Sequence, residues 1–269
     1  MILQRNIQIK EYTVPMPGLD SGSRITLCHI SDVHSDAFGD YSAQAVEAVA
    51  CRNPDAILFT GDMIDCRRDE DGAFFFRLLD RLPEVPVVAS PGNHEKRIER
   101  AWGTRWQLVD DCKARGMQYL DNDHVTLHLQ GQEVDFYGYI QPFKIFTKRG
   151  KKRARLVQEI APEEITATLG ACPQGAVVLL AHDPVLLDSY AAWGAPLVLS
   201  GHIHGGVVKV PGIGGLLSPA RKFFPPYDDG MYERGRTKMI VSRGLCAPMF
   251  PRINNAPDVA FITLTGEEG

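Results

Sequence analysis

The chain has 269 residues, an apolar share of 44% and a formal net charge of −4. This length is sufficient for one large domain with a substantial core. The slightly acidic balance argues against a dedicated nucleic-acid-binding protein, which is usually basic overall. No apolar run reaches the roughly 18 residues of a membrane-spanning helix, and the first ten residues alternate like a strand rather than a signal peptide. We therefore expect a chain that starts directly on its fold.

Six cysteines are scattered along the sequence, and none belongs to a C-x-x-C pair. This spacing argues against a zinc ribbon and against a dense disulfide framework. Cys28 and Cys51 lie in apolar surroundings, so we predict that both thiols are buried. A reducing compartment follows, and we expect a cytoplasmic protein that is either free or peripheral to a membrane.

Five short apolar runs, rich in Val, Ile and Leu, end abruptly in polar residues. Each run is bounded by turn residues, which is typical of a buried strand. The runs cover residues 25–30, 56–59, 85–89, 177–181 and 197–199. Helical patterns lie between them, at residues 42–52, 74–82, 102–115, 162–169 and 183–193. Strands that alternate with helices predict an α/β protein with mainly parallel central strands.

The remaining segments complete this picture of a single domain over residues 1–269. Further strands are predicted at residues 118–120, 124–129, 134–139, 238–242 and 259–264. Residues 206–235 are rich in Gly and Pro and are predicted to form a long ordered loop. A basic insertion near residues 141–159 contains the run of Lys and Arg at 148–155. That run is either a solvated loop or a contact with an anionic membrane surface, and the sequence leaves both open.

Side chains that can bind metal or take part in catalysis follow these strands, at the edge of an α/β sheet where active sites usually form. They are Asp32, His34, Asp62, Asn93, His94, His182, His202 and His204. Eight oxygen and nitrogen donors are too many for one ion and suit two ions about 3.5–4 Å apart. Carboxylates mixed with imidazoles favour Mn, Fe, Zn, Co or Ni over Ca or Mg. Two aspartates leave two divalent cations with a net positive charge, which attracts a phosphate group.

Five motifs occur in order, each after a strand-like run. They are Asp32-Val-His34, Gly61-Asp62-Met-Ile-Asp65, Gly92-Asn93-His94-Glu95, His182-Asp-Pro and Gly201-His202-Ile-His204-Gly-Gly. Together they resemble the motifs of the calcineurin-like metallophosphoesterases, and the C-terminal part resembles the branch that contains single-domain bacterial phosphodiesterases. The resemblance implies a four-layer αββα sandwich of two mixed sheets flanked by helices.

The resemblance also implies a role for each motif residue. Asp32, His34 and His204 would bind the first metal, and Asp62 would bridge to the second. The second metal would be completed by Asn93, His182 and His202. Two residues would act without binding metal: His94 would face the substrate and aid departure of the leaving group, and Asp65 would orient His94. Manganese is the first expectation for both ions, with Fe, Zn, Co or Ni as alternatives.

The predicted function is hydrolysis of a phosphodiester or phosphomonoester by attack of a metal-bridging hydroxide. One alternative is a pyrophosphatase that cleaves a UDP-linked acyl sugar of lipid-precursor metabolism. Another is a non-catalytic scaffold, against which the complete ligand set argues. Arg243 and Arg252 are open between a substrate contact and a structural role. For residues 221–224 (Arg-Lys-Phe-Phe) the sequence favours an anchor in the core over a pocket wall.

Overall fold

In the computed structural model, the described residues are 6–34, 41–66, 72–102, 107–148, 151–156, 160–206, 208–210, 212, 214–216, 223–245 and 252–267. The helices are α1 Tyr41–Arg52, α2 Ala73–Leu79, α3 Asn93–Trp102, α4 Gln107–Ala114, α5 Pro162–Leu169 and α6 Leu187–Trp193. The strands are β1 Gln8–Met16, β2 Arg24–Ile30, β3 Ala56–Thr60, β4 Val87–Ser90, β5 Gln118–Tyr119, β6 Asp123–Leu129, β7 Gln132–Tyr139, β8 Phe143–Lys148, β9 Lys151–Leu156, β10 Val177–Ala181, β11 Leu197–Ser200, β12 Lys209–Val210, β13 Gly214–Gly215, β14 Gly230–Arg234, β15 Thr237–Val241 and β16 Asp258–Gly266.

Two six-stranded mixed sheets form the centre of the molecule. The first has the order β1-β16-β2-β3-β4-β5, and the second has the order β14-β15-β11-β10-β7-β6. In the first sheet β2, β3, β4 and β5 run parallel, while β16 is antiparallel to β2. In the second sheet β7, β10, β11 and β15 run parallel, and both edge strands are antiparallel to their neighbours. The parallel centre therefore agrees with the sequence prediction.

The burial pattern of the central strands explains the layered arrangement. Leu58 of β3 and Leu180 of β10 belong to one apolar cluster between the two sheets. Phe59, the next residue of β3, packs instead in a cluster with helices α1 to α4. Leu179 of β10 points the other way, into a cluster with α5 and α6. Because successive side chains of a strand face opposite sides of its sheet, each central strand must be apolar on both faces.

The fold is therefore a helix–sheet–sheet–helix sandwich, as the resemblance implies. Fully burying a side chain such as Phe59 contributes about 1.5–3 kcal/mol, so this double-sided burial is a main source of stability. No helix in the described part of the chain is long and apolar enough to cross a membrane.

Several local predictions are wrong or incomplete. The predicted helix over 102–115 corresponds to α4, with residues 103–106 outside the described part, whereas α3, which ends at Trp102, was not predicted. Residues 206–235 are not one loop, because β12, β13 and β14 fall within them. Residues 1–5 of the first expected strand also lie outside the described part, and β1 begins only at Gln8. Cys28 is buried as predicted, but Cys51 is exposed on the last turn of α1.

The basic insertion contains a β-hairpin. Strands β8 and β9 pair antiparallel from Phe143 opposite Leu156 to Lys148 opposite Lys151. Residues 149–150 and 157–159 lie outside the described part. Contact of this hairpin with an anionic membrane stays a prediction from its charge.

Candidate metal centre

The seven predicted metal ligands lie together at the carboxyl ends of strands from both sheets. Asp32 and His34 follow β2, Asp62 follows β3, and Asn93 follows β4 as the first residue of α3. From the second sheet, His182 follows β10, and His202 and His204 follow β11. Segments that are up to 172 positions apart, from 32 to 204, therefore meet at one place. Parallel strands direct their carboxyl ends to the same edge, which explains why the polar residues converge.

The first group consists of Asp32, His34 and His204, all buried and with donor atoms within 4.8 Å of one another. Oδ1 of Asp32 lies 3.5 Å from Nε2 of His204 and 3.8 Å from Nε2 of His34. These separations are too long for good hydrogen bonds. Two atoms that are each about 2.1 Å from one ion are about 3–3.5 Å apart at usual coordination angles. The spacing thus suits a shared ion.

The second group consists of Asp62, His182 and His202, again within 4.8 Å. Nε2 of His182 lies 3.3 Å from Oδ2 of Asp62 and 3.2 Å from Nδ1 of His202. Nδ1 of His182 donates to the carbonyl of Thr60 at 2.6 Å, so the lone pair of Nε2 is directed at the group. This backbone contact fixes the ring in the tautomer that a metal ligand requires.

Asp62 stands between the two groups. Its Oδ1 accepts the backbone N–H of His94 at 2.8 Å, which fixes the carboxylate in place. Its Oδ2 lies 3.3 Å from His182 and 3.8 Å from His34, so one oxygen atom is within reach of both groups. A carboxylate in this position could bridge two cations.

Four buried polar atoms of the proposed ligands have no hydrogen-bond partner among the described residues: Oδ1 of Asp32, Nε2 of His34, Oδ1 of Asn93 and Nδ1 of His204. The other polar side-chain atoms of Asp32 and His34 are satisfied. Oδ2 of Asp32 accepts from the Ser31 hydroxyl at 2.7 Å and from the N–H of His202 at 2.9 Å, and Nδ1 of His34 contacts the Ile64 carbonyl. Leaving a buried acceptor unpaired costs about 1–3 kcal/mol. Bound cations would offset this cost, so the residues fit the metals that the sequence predicts.

The backbone of the ligand loops is strained. Five of the ligands have positive φ, a region that non-glycine residues rarely adopt: Asp32 (49°), His34 (45°), Asp62 (48°), His202 (67°) and His204 (52°). Each such residue costs of order 1–3 kcal/mol, and such strain concentrates at functional sites. The sequence patterns placed these residues after strands but gave no sign of their conformation.

The charges of the cluster favour a bound cation. Burial opposes the charged form of Asp62, but His182 and His94 hold the pKa of that carboxyl well below its usual range. Burial also lowers the pKa of His182, yet the carboxylates of Asp62 and Asp32 outweigh it and raise the pKa to about 10. Without metal, a proton on His182 therefore occupies the place between the aspartates. Metal binding must displace that proton.

His94 lies beside the metal groups and its ring meets His34 edge-on, with ring centroids 4.6 Å apart. Its Nδ1 accepts the backbone N–H of Cys66 at 3.2 Å, which leaves the ring proton on Nε2. Burial lowers the pKa of His94 to about 4, so the ring is neutral at pH 7. Nε2 faces Oδ2 of Asp62 at 3.9 Å. Asp65 lies near, with Oδ1 3.7 Å from Nδ1 of His94, but this exceeds a hydrogen bond.

Glu95 holds together the two loops that carry Asp62 and Asn93. Its Oε2 accepts the backbone N–H groups of Asp62 at 3.0 Å and Gly92 at 2.7 Å, and its Oε1 accepts that of Ile64 at 3.1 Å. Burial and the nearby Asp62 carboxylate raise the pKa of Glu95 to about 7. The carboxylate of Asp183 accepts the N–H of Val185 at the start of a short 3₁₀ helix.

The remaining candidates lie in other environments. Arg243 donates to Asp229 at 2.7 and 2.6 Å, and Arg252 is buried and donates to the Gly244 carbonyl at 3.0 Å, so both have structural contacts. The prediction of a core anchor at 221–224 is wrong for Phe223 and Phe224, which are 68% and 55% exposed. Residues 221–222 lie outside the described part.

This fold and centre agree with the comparisons with known proteins. A family model described as calcineurin-like phosphoesterase matches residues 25–206, more than half of the chain and all seven proposed ligands. The chain belongs to this family of metal-dependent phosphoester hydrolases, whose members use a dinuclear metal centre.

Two relatives and one structure illustrate the range of similarity. An uncharacterized metallophosphoesterase of Aquifex aeolicus is 26% identical over 265 residues, which cover 97% of this chain and 93% of the relative. The phosphodiesterase YaeI of Escherichia coli is 24% identical over 250 residues, covering 91% of this chain and 84% of the relative. The crystal structure of TT1561 from Thermus thermophilus superposes with a TM-score of 0.47 at 14% identity, covering 83% of this chain and 91% of that one.

Proposed function

We propose that this protein hydrolyses phosphodiesters with two divalent metal ions held around Asp62. The observation that carries the proposal is the set of buried, unpartnered acceptors on Asp32, His34 and Asn93, together with one Asp62 oxygen that lies 3.3 Å from His182 and 3.8 Å from His34. The name of the E. coli relative, a phosphodiesterase, supports a diester rather than a monoester as the substrate class.

The ligands divide between the two ions as the two groups suggest. Asp32, His34 and His204 would hold one ion, and Asp62 would be shared. The other ion would be held by Asn93, His182 and His202. Manganese is proposed first, because mixed oxygen and imidazole ligands suit it and native metal content depends on availability. When bound, two such ions supply a hydroxide nucleophile near neutral pH and offset charge on the phosphate.

The chain contributes a fixed hydrogen-bond donor through His94. Because the Cys66 N–H occupies the Nδ1 lone pair, the neutral ring presents its Nε2–H on the side of the metal groups. We propose that this N–H donates to an oxygen of the substrate and stabilises the charge that develops as the leaving group departs. If Nδ1 were protonated, its N–H would face the N–H of Cys66, which disfavours the charged ring. His94 therefore donates a hydrogen bond as a neutral imidazole, and the leaving oxygen takes its proton from water.

Asp65 keeps a supporting role in this proposal. Its carboxylate lies 3.7 Å from Nδ1 of His94, on the side of the ring away from the metal groups. At this distance it acts on the ring through its charge, while the Cys66 amide supplies the hydrogen bond that orients it.

Substitution of the shared carboxylate tests the proposal. Asp62→Asn removes the negative charge that both ions share, so metal content should fall from two ions per chain and turnover should be lost. Asp188→Asn, at an exposed carboxylate of α6, is the matched control and should change neither. Metal analysis and hydrolysis of an aryl phosphodiester give the two readouts. An Asp62→Asn protein with full metal content and activity would refute the shared ligand.

A substrate screen separates the diester from its competitors. The metal-free protein, reloaded in turn with Mn, Zn, Fe, Co or Ni, would be offered aryl mono- and diesters, nucleotides and UDP-linked lipids. We expect the diesters to be hydrolysed with the highest kcat/KM. Preference for a monoester would overturn the choice of substrate, and preference for the UDP-linked lipid would favour the pyrophosphatase, which the comparisons do not support.

A further inference from the structure

A second kind of metal-ligand cluster lies behind His94. The side chains of Asp65, Cys66 and His94 have donor atoms that all lie within 4.8 Å of one another. Cys66 is the residue that makes this cluster different, because the proposed ligands of the two catalytic ions include no sulfur. Family motifs give Cys66 no role, and only its backbone N–H enters the arrangement described above.

We propose that Asp65, Cys66 and His94 form a third, inhibitory metal site for a thiophilic divalent ion such as Zn²⁺. The inhibitory effect of this site rests on the proposed function, whereas metal binding at the site does not depend on any reaction.

The geometry suits one ion on the far side of the His94 ring. Nε2 of His94 faces the catalytic groups, while Nδ1 faces Asp65, whose Oδ1 is 3.7 Å away. Two ligands of one zinc ion are about 3.4 Å apart at tetrahedral angles, so small shifts bring these atoms into place. Three protein ligands and one water would complete the usual four-coordinate arrangement.

The charges and ligand types also suit zinc. A thiolate from Cys66 and a carboxylate from Asp65 balance the charge of one divalent ion. A thiolate prefers zinc to manganese, which favours oxygen ligands. Burial raises the pKa of the Cys66 thiol, and the Arg97 side chain, which hydrogen-bonds the thiol, offsets this only in part, so an ion would have to displace both the thiol proton and Arg97. Arg97 is exposed, so its guanidinium can turn into solvent when an ion takes its place.

Occupation of this site would disturb His94. The Nδ1 lone pair now accepts the Cys66 N–H at 3.2 Å, and an ion would compete for the same lone pair. The ring would have to turn toward the ion, and its Nε2–H would leave the direction it has beside Asp62. Excess zinc should therefore lower kcat, whereas excess manganese should not.

The test uses Co²⁺ as a spectroscopic probe and Zn²⁺ as the inhibitor. Co²⁺ is added in excess to the full-length protein, and a thiolate-to-cobalt charge-transfer band is sought in the near ultraviolet. Bound metal is counted in parallel, and turnover is measured at rising Zn²⁺ after manganese loading. We expect the band, a third bound equivalent, and inhibition of at least several-fold. Cys66→Ser should lose the band and the zinc sensitivity, measured relative to its own activity without zinc.

Cys51→Ser, at an exposed cysteine on α1, is the control and should keep both effects. Two bound metals with turnover but no thiolate band would overturn the third site and leave the proposed function standing. A band without zinc inhibition, or inhibition that persists in Cys66→Ser, would overturn the inhibitory role. Failure to bind two metals at all would instead refute the proposed function.

Discussion

The carboxylate of Glu95 accepts the backbone N–H of Asp62 at 3.0 Å, although 33 positions separate the two residues. The same carboxylate holds the N–H groups of Gly92 and Ile64. One buried side chain of α3 thus fixes the two loops that carry Asp62 and Asn93. The position of the proposed shared ligand therefore depends on a residue outside the proposed ligand set.

Replacing this carboxylate should loosen the centre. In Glu95→Gln one acceptor oxygen becomes an NH₂ group that faces backbone N–H donors, so at least one buried donor loses its partner. We expect the free energy of unfolding to fall by about 1–3 kcal/mol, with weaker metal binding, measured by denaturant titration and metal competition. Glu163→Gln, at an exposed residue of α5, is the matched control. Equal stability and affinity in the Glu95 variant would show that the contacts are dispensable.

The close packing around Gly201 gives a second prediction. A Cβ atom at this position would overlap Oγ of Ser31 and Oδ2 of Asp32. Gly201→Ala should therefore displace the Asp32 carboxylate, weaken metal binding and destabilise the protein by about 1–3 kcal/mol. Gly131→Ala is the comparison, because Gly131 has open space but a φ of 76°, so alanine there strains the backbone far from the site. Metal affinity should fall only in the Gly201 variant, and an equal change in both would remove the steric argument.

Loss of His94 should affect turnover rather than metal content. His94→Ala is expected to retain two ions per chain while kcat falls by about 10²–10³, the usual range for the loss of one hydrogen-bond donor to the transition state. Because the pKa of His94 is lowered to about 4, the ring is neutral at higher pH. The ratio of wild-type to variant kcat should then be constant from about pH 5 upward. A ratio that falls as the pH rises would indicate that protonated His94 is the active form, and metal loss would mean that His94 is a ligand.

The buried ring of His29 should make the protein sensitive to acid. His29 is fully buried, its Nε2 contacts the Thr60 hydroxyl at 2.7 Å, and burial lowers its pKa to about 3. Below its unfolded pKa of about 6.5, the unfolded chain binds a proton that the folded state refuses, so stability falls with pH by up to about 1.4 kcal/mol per unit. This loss continues until the pH reaches the folded pKa.

Substitution isolates this contribution. His29→Gln keeps a hydrogen-bonding side chain but does not titrate, so the stability of wild type relative to the variant should decrease as the pH drops below 6.5. Unfolding would be measured with a chelator present throughout, which removes metal loss as a cause. His128→Gln, at an exposed ring, should leave the pH dependence unchanged. Parallel curves for wild type and His29→Gln would contradict the assignment.

The sequence predicts the central strands and the convergence of polar side chains because both depend on patterns that are local in the chain, whereas the four layers and the proposed ligand roles came from the resemblance to the family. Short apolar runs marked the central strands, and polar residues after each run marked the edge where Asp32, Asp62 and His182 meet. Helix α3 escaped prediction because only three of its ten residues, NHEKRIERAW, are apolar. Its first turn nevertheless carries Asn93 and His94.

These local patterns could not predict contacts between distant segments of the chain. The N–H of Cys66 that orients His94 is a backbone group, so no residue type in the sequence points to it. The positive φ of Asp62 is likewise a property of the loop conformation. Cys51 was misplaced because an apolar neighbourhood in sequence does not tell which side of a helix faces the solvent.

The two halves of the proposed ligand set come from different sheets, with Asp32, His34, Asp62 and Asn93 on one and the three histidines at 182, 202 and 204 on the other. Ions bound by ligands from both sheets would link the sheets at one end of the sandwich. Their binding free energy would then add to the stability of the folded protein. The amount of folded protein in a cell would then follow the supply of metal. Scarcity would reduce the protein itself as well as its activity.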